Sequence, residues 1–227
     1  MGWKRYAIYW LPGGSLGRVG ADWLGWDVRA GRDASGAAPD TERPRKYGFH
    51  ATIKPPFRLA DGMDEAGVTA ASRGLAAGLA PAELGALAVT RLGRFLALTP
   101  DRNPASLAGI VVAGLDRFRA PAPPEELARR RANGLSDTQE ALLAAWGYPY
   151  VLEEFRMHLT LTGPDPADAT EARARDAFAP LTGPHVLDTL SLVGEAADGR
   201  FHLIADLPLG GDHGTRSARA ASADPTA

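Results

Sequence analysis

The sequence predicts an α+β fold of two lobes related by a pseudo-two-fold axis, with antiparallel sheets lining a central cleft and helices outside. Two observations carry this prediction. Short segments alternate apolar and polar residues, as strands with one buried face and one wet face do. The two halves of the chain also repeat one order of elements: an opening strand, a helical region, a strand with a His-x-Thr motif, a helix and a closing hairpin.

The two His-x-Thr strands are residues 47–54, Tyr-Gly-Phe-His-Ala-Thr-Ile-Lys, and residues 155–162, Phe-Arg-Met-His-Leu-Thr-Leu-Thr. Successive side chains of a strand point to opposite faces, so each copy has one apolar and one polar face. The predicted polar faces carry Gly48, His50, Thr52 and Lys54, and Arg156, His158, Thr160 and Thr162. A third copy at His213 lacks apolar flanks, and we set it aside.

The first half opens with aromatic and branched residues that predict a strand, followed by a short helix that Ser15 is placed to cap. Pro55-Pro56 is expected to end the His50 strand, because proline cannot donate to a strand ladder. The predicted elements are strand 6–11, helix 15–26, a Gly/Asp/Pro/Arg-rich loop to residue 46, strand 47–54, helix 64–80, and the hairpin strands 86–92 and 95–99.

The second half opens with the apolar run 107–113, which predicts a buried strand. Pro124 is placed to begin a helix that Asn133-Gly134 ends, and Ser136 with Gln139 forms a capping box for the next helix. The other predicted elements are that capped helix to Gly147, strand 155–162, helix 166–178, and strands 186–193 and 201–207. We expect a first lobe at 1–104, a second lobe at 105–209 and a disordered tail at 210–227.

The composition excludes several classes of protein. With 45% hydrophobic and 23% charged residues the chain has enough apolar material for a core. The formal net charge of −2 argues against a large non-specific nucleic-acid surface. Because there are no cysteines, disulfides, thiolate metal sites and cysteine nucleophiles are excluded. No signal peptide and no membrane-spanning run of ~18 apolar residues is recognisable, so we expect a cytoplasmic protein without a membrane partner.

The paired histidines point to acid–base chemistry. With a side-chain pKa near ~6.5, one imidazole can take a proton from water while an opposed imidazolium gives one to a leaving oxygen. The hydroxyls of Thr52 and Thr160 can donate to phosphate oxygens. Lys54 and Arg156 share the polar faces and are candidate substrate-binding residues, with a solvated strand end as the alternative. The motifs supply no third metal ligand, so we expect neither a metal nor a cofactor.

Other polar and aromatic residues keep two interpretations each. The loop 27–46 ends in Arg43-Pro-Arg-Lys46 and is either solvated or a flap over a phosphate. Arg129-Arg-Arg131 is either a solvated helix face or a lid that faces phosphate. The side chains of Tyr6, Tyr9 and Tyr47 either pack in the core or stack on a ribose or base. His185 and His202 have no hydroxyl residue two positions on and are predicted to be structural.

The strings His50-Ala-Thr-Ile53 and His158-Leu-Thr-Leu161 resemble the signature of the two-histidine (2H) phosphoesterase superfamily. The longer strings 5–10, 46–57, 92–98 and 155–163 are similar to one branch of it, the phosphonate-metabolism proteins encoded with carbon–phosphorus lyase systems. The resemblance implies a bilobal fold with a central cleft and metal-free cleavage of a cyclic phosphate or a 2′-linked phosphodiester. It further implies a small cyclic phosphate of ribose from phosphonate breakdown as the substrate.

Three alternatives stay open at this stage. An enzyme that processes RNA 2′,3′-cyclic phosphate ends would have a basic groove leading from the cleft. A nucleotide- or phosphosugar-binding module would use the same cleft without turnover. A metal hydrolase would lose activity in EDTA. The sequence does not assign base and acid between the two histidines, because the copies are equivalent in pattern, and it leaves the oligomeric state open.

Overall fold

Residues 2–132 and 134–210 are described by a computed structural model of the chain. The strands are β1 (Tyr6–Trp10), β2 (Trp26–Asp27), β3 (Arg32–Asp33), β4 (Ala51–Phe57), β5 (Ala82–Gly85), β6 (Leu87–Leu92), β7 (Phe95–Pro100), β8 (Leu159–Thr160), β9 (His185–Leu187), β10 (Thr189–Glu195) and β11 (Phe201–Pro208). The helices are α1 (Gly14–Leu24), α2 (Glu42–Arg45), α3 (Glu65–Ala77), α4 (Ala105–Gly114), α5 (Pro124–Arg131), α6 (Asp137–Trp146) and α7 (Asp168–Phe178). The predicted α+β class with antiparallel strands is confirmed.

One large antiparallel sheet organises the described residues, with the strand order β11-β10-β1-β4-β8-β7-β6. Its two sides meet where β4 pairs with β8, and the register there places Ala51 opposite Leu159. This contact is short because β8 has only two residues. The two strands that follow the histidines therefore lie side by side at the centre of the sheet.

The closing hairpin of each half of the chain pairs with strands of the other half. Hairpin β6–β7, from the first half, pairs through β7 with β8. Hairpin β10–β11, from the second half, pairs through β10 with β1. The strands on either side of the predicted boundary between residues 104 and 105 are thus mixed in the sheet. The group β11-β10-β1-β4 and the group β8-β7-β6 each contain strands from both halves of the chain.

The apolar run 107–113 was predicted as a strand, and this prediction is wrong, because the run lies within α4. Its buried residues are Leu107, Ala108, Val111 and Val112, a spacing that places them on one side of a helix. The run is apolar throughout, so its hydrophobic pattern could not distinguish a buried strand from a buried helix. Within its described residues, the second half consequently has no counterpart to β1, which limits the internal duplication.

The His50 strand also differs from its prediction, because β4 continues through Pro55 and Pro56 to Phe57. The pairing of β4 with β8 is recorded only at Ala51, whereas its pairing with β1 extends to Phe57. Beyond Ala51 one side of β4 therefore behaves as a sheet edge, where a proline without an N–H is tolerated.

The main hydrophobic core covers one face of the sheet. The apolar residues of both motif copies lie in it, including Phe49, Ile53, Met157 and Leu161. Helices α1, α3, α4 and α7 contribute buried side chains to the same core. The predicted apolar faces of the two motif strands are thus buried under helices, which leaves the opposite face for the cleft.

Several local predictions are confirmed. Ser136 and Gln139 form the capping box that begins α6, and Gly147 ends that helix in the left-handed conformation. Pro124 begins α5. The predictions for Asn133 and for the tail from residue 211, including His213, lie outside the described residues. In the described part of the chain, no helix is long and apolar enough to cross a membrane.

Candidate active site

His50 and His158 lie on the same face of the sheet with their threonines. Continuing the register from Ala51 and Leu159 places His50 opposite Thr160, and Thr52 opposite His158. Directly opposed residues of antiparallel strands point to the same side, so the four side chains form one polar cluster. The interleaved sheet thus brings together two motifs that are far apart in sequence.

Each histidine ring is held by the backbone two residues before it. The Nδ1 atom of His50 lies 2.9 Å from the Gly48 carbonyl oxygen, and the Nδ1 atom of His158 lies 2.8 Å from the Arg156 carbonyl oxygen. A carbonyl oxygen can only accept, so in both rings the Nδ1 atom carries the hydrogen. Both Nε2 atoms are therefore left to exchange protons with a substrate.

Gly48 allows the first of these contacts through its backbone conformation. Its φ of +68° is in the left-handed region that favours glycine, and a Cβ atom there would lie 2.1 Å from a methyl carbon of Val28. The carbonyl that holds His50 thus belongs to a position that only glycine fills without strain. Arg156 fills the corresponding position in the second copy and does not have a positive φ.

The two histidines differ in their surroundings. The ring of His50 stacks on Tyr9 with centroids 3.8 Å apart, and its Nε2 atom lies 3.0 Å from the Thr52 hydroxyl. Because Nδ1 carries the hydrogen of the neutral ring, Thr52 donates to Nε2. The ring of His158 lies 5.7 Å from that of Phe95. Among the described residues, the Nε2 atom of His158 has no hydrogen-bond partner.

The protonation of His50 is also set by its position. Burial lowers the pKa of His50 to about 4, the Gly48 hydrogen bond opposes this shift, and the nearby charge of His158 lowers the pKa further. Desolvation disfavours the charged imidazolium, and a second cation close by does the same. His50 is therefore neutral near pH 7, with an unprotonated Nε2 atom.

A cleft of about 900 Å³ lies over this cluster. His50, Thr52 and Thr160 line it, and His158 adjoins it beside the lining residue Phe95. The charged lining residues are Arg5, Arg43, Lys46, Arg58, Glu126, Arg129 and Arg130, so six cations face one carboxylate. Tyr9, Tyr47, Tyr148 and Tyr150 provide aromatic surface. The cleft is strongly positive although the chain as a whole has a formal charge of −2.

Lys54 does not reach this cleft, which corrects its prediction as a substrate-binding residue. Its side chain is 2% exposed, and its ammonium donates to the Val112 carbonyl at 3.0 Å and to the Asp116 carboxylate at 3.4 Å. Burial lowers the Lys54 pKa to about 8, and Asp116 opposes that shift. The register between β1 and β4 shifts by one residue between the pairs Ile8–Lys54 and Tyr9–Thr52. This bulge turns Lys54 to the face opposite Thr52.

Arg156 is likewise not part of the cleft lining. It is exposed, and its guanidinium donates to the carbonyl oxygens of Glu153 at 3.0 Å and Phe155 at 2.9 Å. Of the six predicted site residues, the structure thus places the two histidines and two threonines together and places Lys54 and Arg156 elsewhere.

Four of the six basic residues of the cleft, Arg43, Lys46, Arg129 and Arg130, come from the two runs that have two interpretations in the sequence, whereas Arg5 and Arg58 were not singled out. Arg58 follows β4, and Tyr148 and Tyr150 lie just before the second motif. For the aromatic lining, the pattern Tyr-Pro-Tyr at 148–150 was the available signal, because proline restricts the backbone between the two rings. Two of the uncertain arginines, Arg129 and Arg130, line the cleft.

The other histidines of the described chain have structural contacts. His185 donates from Nε2 to the Leu181 carbonyl at 2.8 Å. The ring of His202 lies 5.5 Å from that of Trp3 and 5.2 Å from that of Trp26. Within the described residues, no group of three or more His, Cys, Asp or Glu side chains is arranged to hold a metal ion.

The fold and site define an α+β protein with a paired-histidine cleft. Residues 52–202 match the family described as "Protein of unknown function (DUF1045)". This match covers more than half of the chain, and the chain belongs to that family.

Relatives and solved structures add further similarities. A "Ribose 1,5-bisphosphate phosphokinase PhnN" of Janthinobacterium sp. (strain Marseille) is 35% identical over 173 residues, which are 70% of this chain and 38% of the relative. The protein of the same description from Laribacter hongkongensis (strain HLHK9) is 39% identical over 170 residues, 70% of this chain and 40% of the relative. The chain thus spans less than half the length of these curated relatives.

Among solved structures, one described as "Crystal structure of phosphoesterase" has 13% identity and a TM-score of 0.45, covering 91% of this chain and 98% of that chain. E. coli LigT complexed with 3′-AMP has 14% identity and a TM-score of 0.45, with the same two coverages.

Proposed function

We propose that this protein is a metal-independent phosphoesterase that opens a cyclic phosphate of a ribose-type small molecule. One observation carries the proposal. Both histidines have Nδ1 fixed by a backbone carbonyl, so both Nε2 atoms are available beside two threonine hydroxyls in a positively charged cleft. A phosphodiester needs a base on one side, an acid on the other and donors for its non-bridging oxygens.

His50 is the general base in this proposal. Its neutral form, with the proton on Nδ1, leaves the Nε2 lone pair to accept a proton from water. The stack on Tyr9 and the hydrogen bond from Thr52 hold the ring in place. As the water oxygen forms its bond to phosphorus, the water proton passes to His50.

His158 is the general acid. The bond between phosphorus and the sugar oxygen breaks, and the His158 imidazolium gives its Nε2 proton to that oxygen. The reaction therefore consumes one water and yields a phosphomonoester and a free hydroxyl. His50 ends protonated and His158 ends neutral, and proton exchange with solvent restores both.

Thr52 and Thr160 hold the phosphoryl group. Each hydroxyl can donate to one non-bridging oxygen, and Thr52 exchanges its donation to His50 for a donation to phosphate. The cations of the cleft balance the negative charge that concentrates on these oxygens in the transition state. The chemistry is thus assigned entirely to side chains of this chain.

The names of the curated relatives support a ribose phosphate as substrate. They are described as kinases of ribose 1,5-bisphosphate. Opening the 1,2-cyclic phosphate of ribose 5-phosphate at the bond to O2 yields that bisphosphate. The kinase activity itself is not carried over, because this chain contains no Gly-Lys pair and so no P-loop of the form G-x-x-x-x-G-K.

The proposal is tested by turnover of three cyclic phosphates in EDTA, followed by ³¹P NMR: ribose 5-phosphate 1,2-cyclic phosphate, a 2′,3′-cyclic nucleotide, and an RNA with a 2′,3′-cyclic end. We expect EDTA-resistant opening of the ribose compound and none by the His50→Ala/His158→Ala variant. Activity lost in EDTA and regained with Zn²⁺ or Mn²⁺ would contradict the mechanism.

The same panel separates the other candidate functions. The arginines and tyrosines of the cleft would also suit an RNA end, in which bases stack on aromatic rings, and preferential opening of the RNA substrate would favour that function. Binding of a phosphate ester without turnover, dependent on both histidines, would instead indicate a binding module.

A further inference from the structure

The cleft has more positive charge than a cyclic phosphodiester requires. Six cations and one carboxylate line it, and one of the cations, Arg5, is paired with Glu195 at 2.5 Å, whereas a cyclic phosphodiester has a single negative charge. This excess is local, because the chain as a whole is slightly acidic. Charge concentrated in this way in a cleft raises the local concentration of highly anionic ligands.

The run Arg129–Arg131 is divided between the cleft and a neighbouring helix. Consecutive residues of a helix are about 100° apart around its axis, so three arginines in a row cannot face one way. Arg129 and Arg130 line the cleft, whereas Arg131 forms an ion pair at 2.5 Å with Glu140 of α6. Arg131 is therefore a natural control for its two neighbours.

Arg58, Arg129 and Arg130 define what we call the arginine end of the cleft. Within the described residues, their only carboxylate partner is Glu126, which lies 2.6 Å from Arg130 and 3.8 Å from Arg58. Three guanidinium groups and one carboxylate leave two positive charges. That excess matches the two negative charges of a phosphomonoester.

Arg130 is already ordered for binding. Its guanidinium lies over the Tyr148 ring, 4.7 Å from the centroid, and its Nε atom is buried without a hydrogen-bond partner among the described residues. Arg129, like Arg43 and Lys46, is an exposed cleft cation without an ion pair in the described part of the chain, and the Lys46 ammonium lies 4.8 Å from the Tyr47 ring centroid. A guanidinium held as that of Arg130 is held binds phosphate with less loss of side-chain entropy.

The arginine end and His50 line the same cleft. Tyr148, whose ring lies beneath the Arg130 guanidinium, lines that cleft together with Tyr9. Tyr9 in turn stacks on His50. Aromatic rings therefore lie both at the arginine end and beside the proposed base, an arrangement suited to a sugar that has one phosphate at each end.

We propose that Arg58, Arg129 and Arg130 bind a second phosphate group, so that the preferred substrate is a cyclic phosphate that also has a phosphomonoester. This inference rests on the proposed function and adds the residues that select a substrate with a phosphomonoester. The phosphomonoester occupies the arginine end while the cyclic phosphate lies between His50 and His158. Ribose 5-phosphate 1,2-cyclic phosphate has both groups.

The test compares kcat/KM for ribose 5-phosphate 1,2-cyclic phosphate with kcat/KM for ribose 1,2-cyclic phosphate, using the full chain. We expect the wild type to prefer the phosphorylated compound by about 10- to 100-fold, as charged hydrogen bonds of this kind provide. In Arg129→Gln/Arg130→Gln that ratio should fall to within about threefold of unity. Arg131→Gln should keep the wild-type ratio. A general loss of folding lowers both rates and does not move the ratio.

Other outcomes overturn the assignment. A wild-type ratio near unity, or a preference that survives in Arg129→Gln/Arg130→Gln, would exclude this subsite. A preference lost instead in Arg43→Gln/Lys46→Gln would place the second phosphate at the other end of the cleft.

A binding measurement separates this inference from the proposed activity. If neither compound is turned over, titration calorimetry with ribose 5-phosphate and with ribose tests whether the arginine end binds a phosphomonoester. Binding that needs the phosphate and is lost in Arg129→Gln/Arg130→Gln, but kept in Arg131→Gln, would support the subsite while the proposed activity fails. Equal binding of ribose 5-phosphate by all three proteins would overturn it.

Discussion

The two His-x-Thr copies share their motif and differ in what surrounds it. Both fix Nδ1 through a carbonyl two residues earlier. Only His50 stacks on a tyrosine and accepts from its own threonine, because it lies beside the long strands β1 and β4. His158 precedes a strand of two residues. The repeated motif thus sets which nitrogen is available, and elements that are not repeated set the role of each ring.

The largest expected effects come from removing either histidine. We expect His50→Ala and His158→Ala each to lower kcat for the cyclic phosphate by roughly 10²–10⁴-fold, since each loses one proton transfer. Both side chains lie on the cleft face, so the circular dichroism and melting temperature should change little. His185→Ala is the matched control, because His185 contacts Leu181 and lies outside the cleft lining. Unfolding of either single variant would indicate structural histidines instead.

A smaller effect should follow from Tyr9→Leu, which removes the ring stacked on His50. With the pKa of His50 at about 4, kcat/KM should fall as the pH is lowered through that value, where His50 gains a proton. Removing Tyr9 admits water to the His50 ring, so the pKa of His50 should rise towards 6.5. The acidic limb of the pH–rate profile should then shift to higher pH by the same amount. Tyr9→Phe keeps the stack and should keep the limb. A limb that stays in place in Tyr9→Leu would contradict this role.

The smallest expected effect on the rate is that of Lys54→Met. Lys54 stabilises the packing of β4 on α4 through Val112 and on the segment after α4 through Asp116, so its loss should lower the free energy of unfolding by about 1–3 kcal/mol. Asp116 keeps its two hydrogen bonds from Arg119 in this variant, which limits the loss of unfolding free energy. Urea denaturation and KM together check this. A raised KM with unchanged stability would return Lys54 to the substrate site.

The sequence predicted those features that depend on local pattern. Alternation identified the buried residues of both motif strands, such as Phe49 and Met157, and side-chain chemistry identified the capping box at Ser136. It also predicted one polar face for His50 and Thr52. These features need only a strand or helix period and one or two neighbours.

Features that depend on distant partners could not be predicted in this way. The bulge that buries Lys54 arises from the register with β1, and the run 107–113 is apolar on every side. The exchange of hairpins between halves depends on which strands meet in the folded sheet. The role of Tyr9 required the stacking geometry, because in sequence it is one more buried aromatic residue of a strand.

The assignment of His50 as base and His158 as acid is tested most directly by varying the leaving group. The measurement is kcat/KM of His50→Ala and His158→Ala on two phosphodiesters that differ only in an alkyl or a p-nitrophenyl leaving group. A good leaving group needs no acid, so on the p-nitrophenyl ester the kcat/KM of His158→Ala should lie within about tenfold of the wild-type value. The kcat/KM of His50→Ala should stay at least about 10²-fold below the wild-type value on both esters. Rescue of His50→Ala instead, or equal losses in both variants, would contradict the assignment.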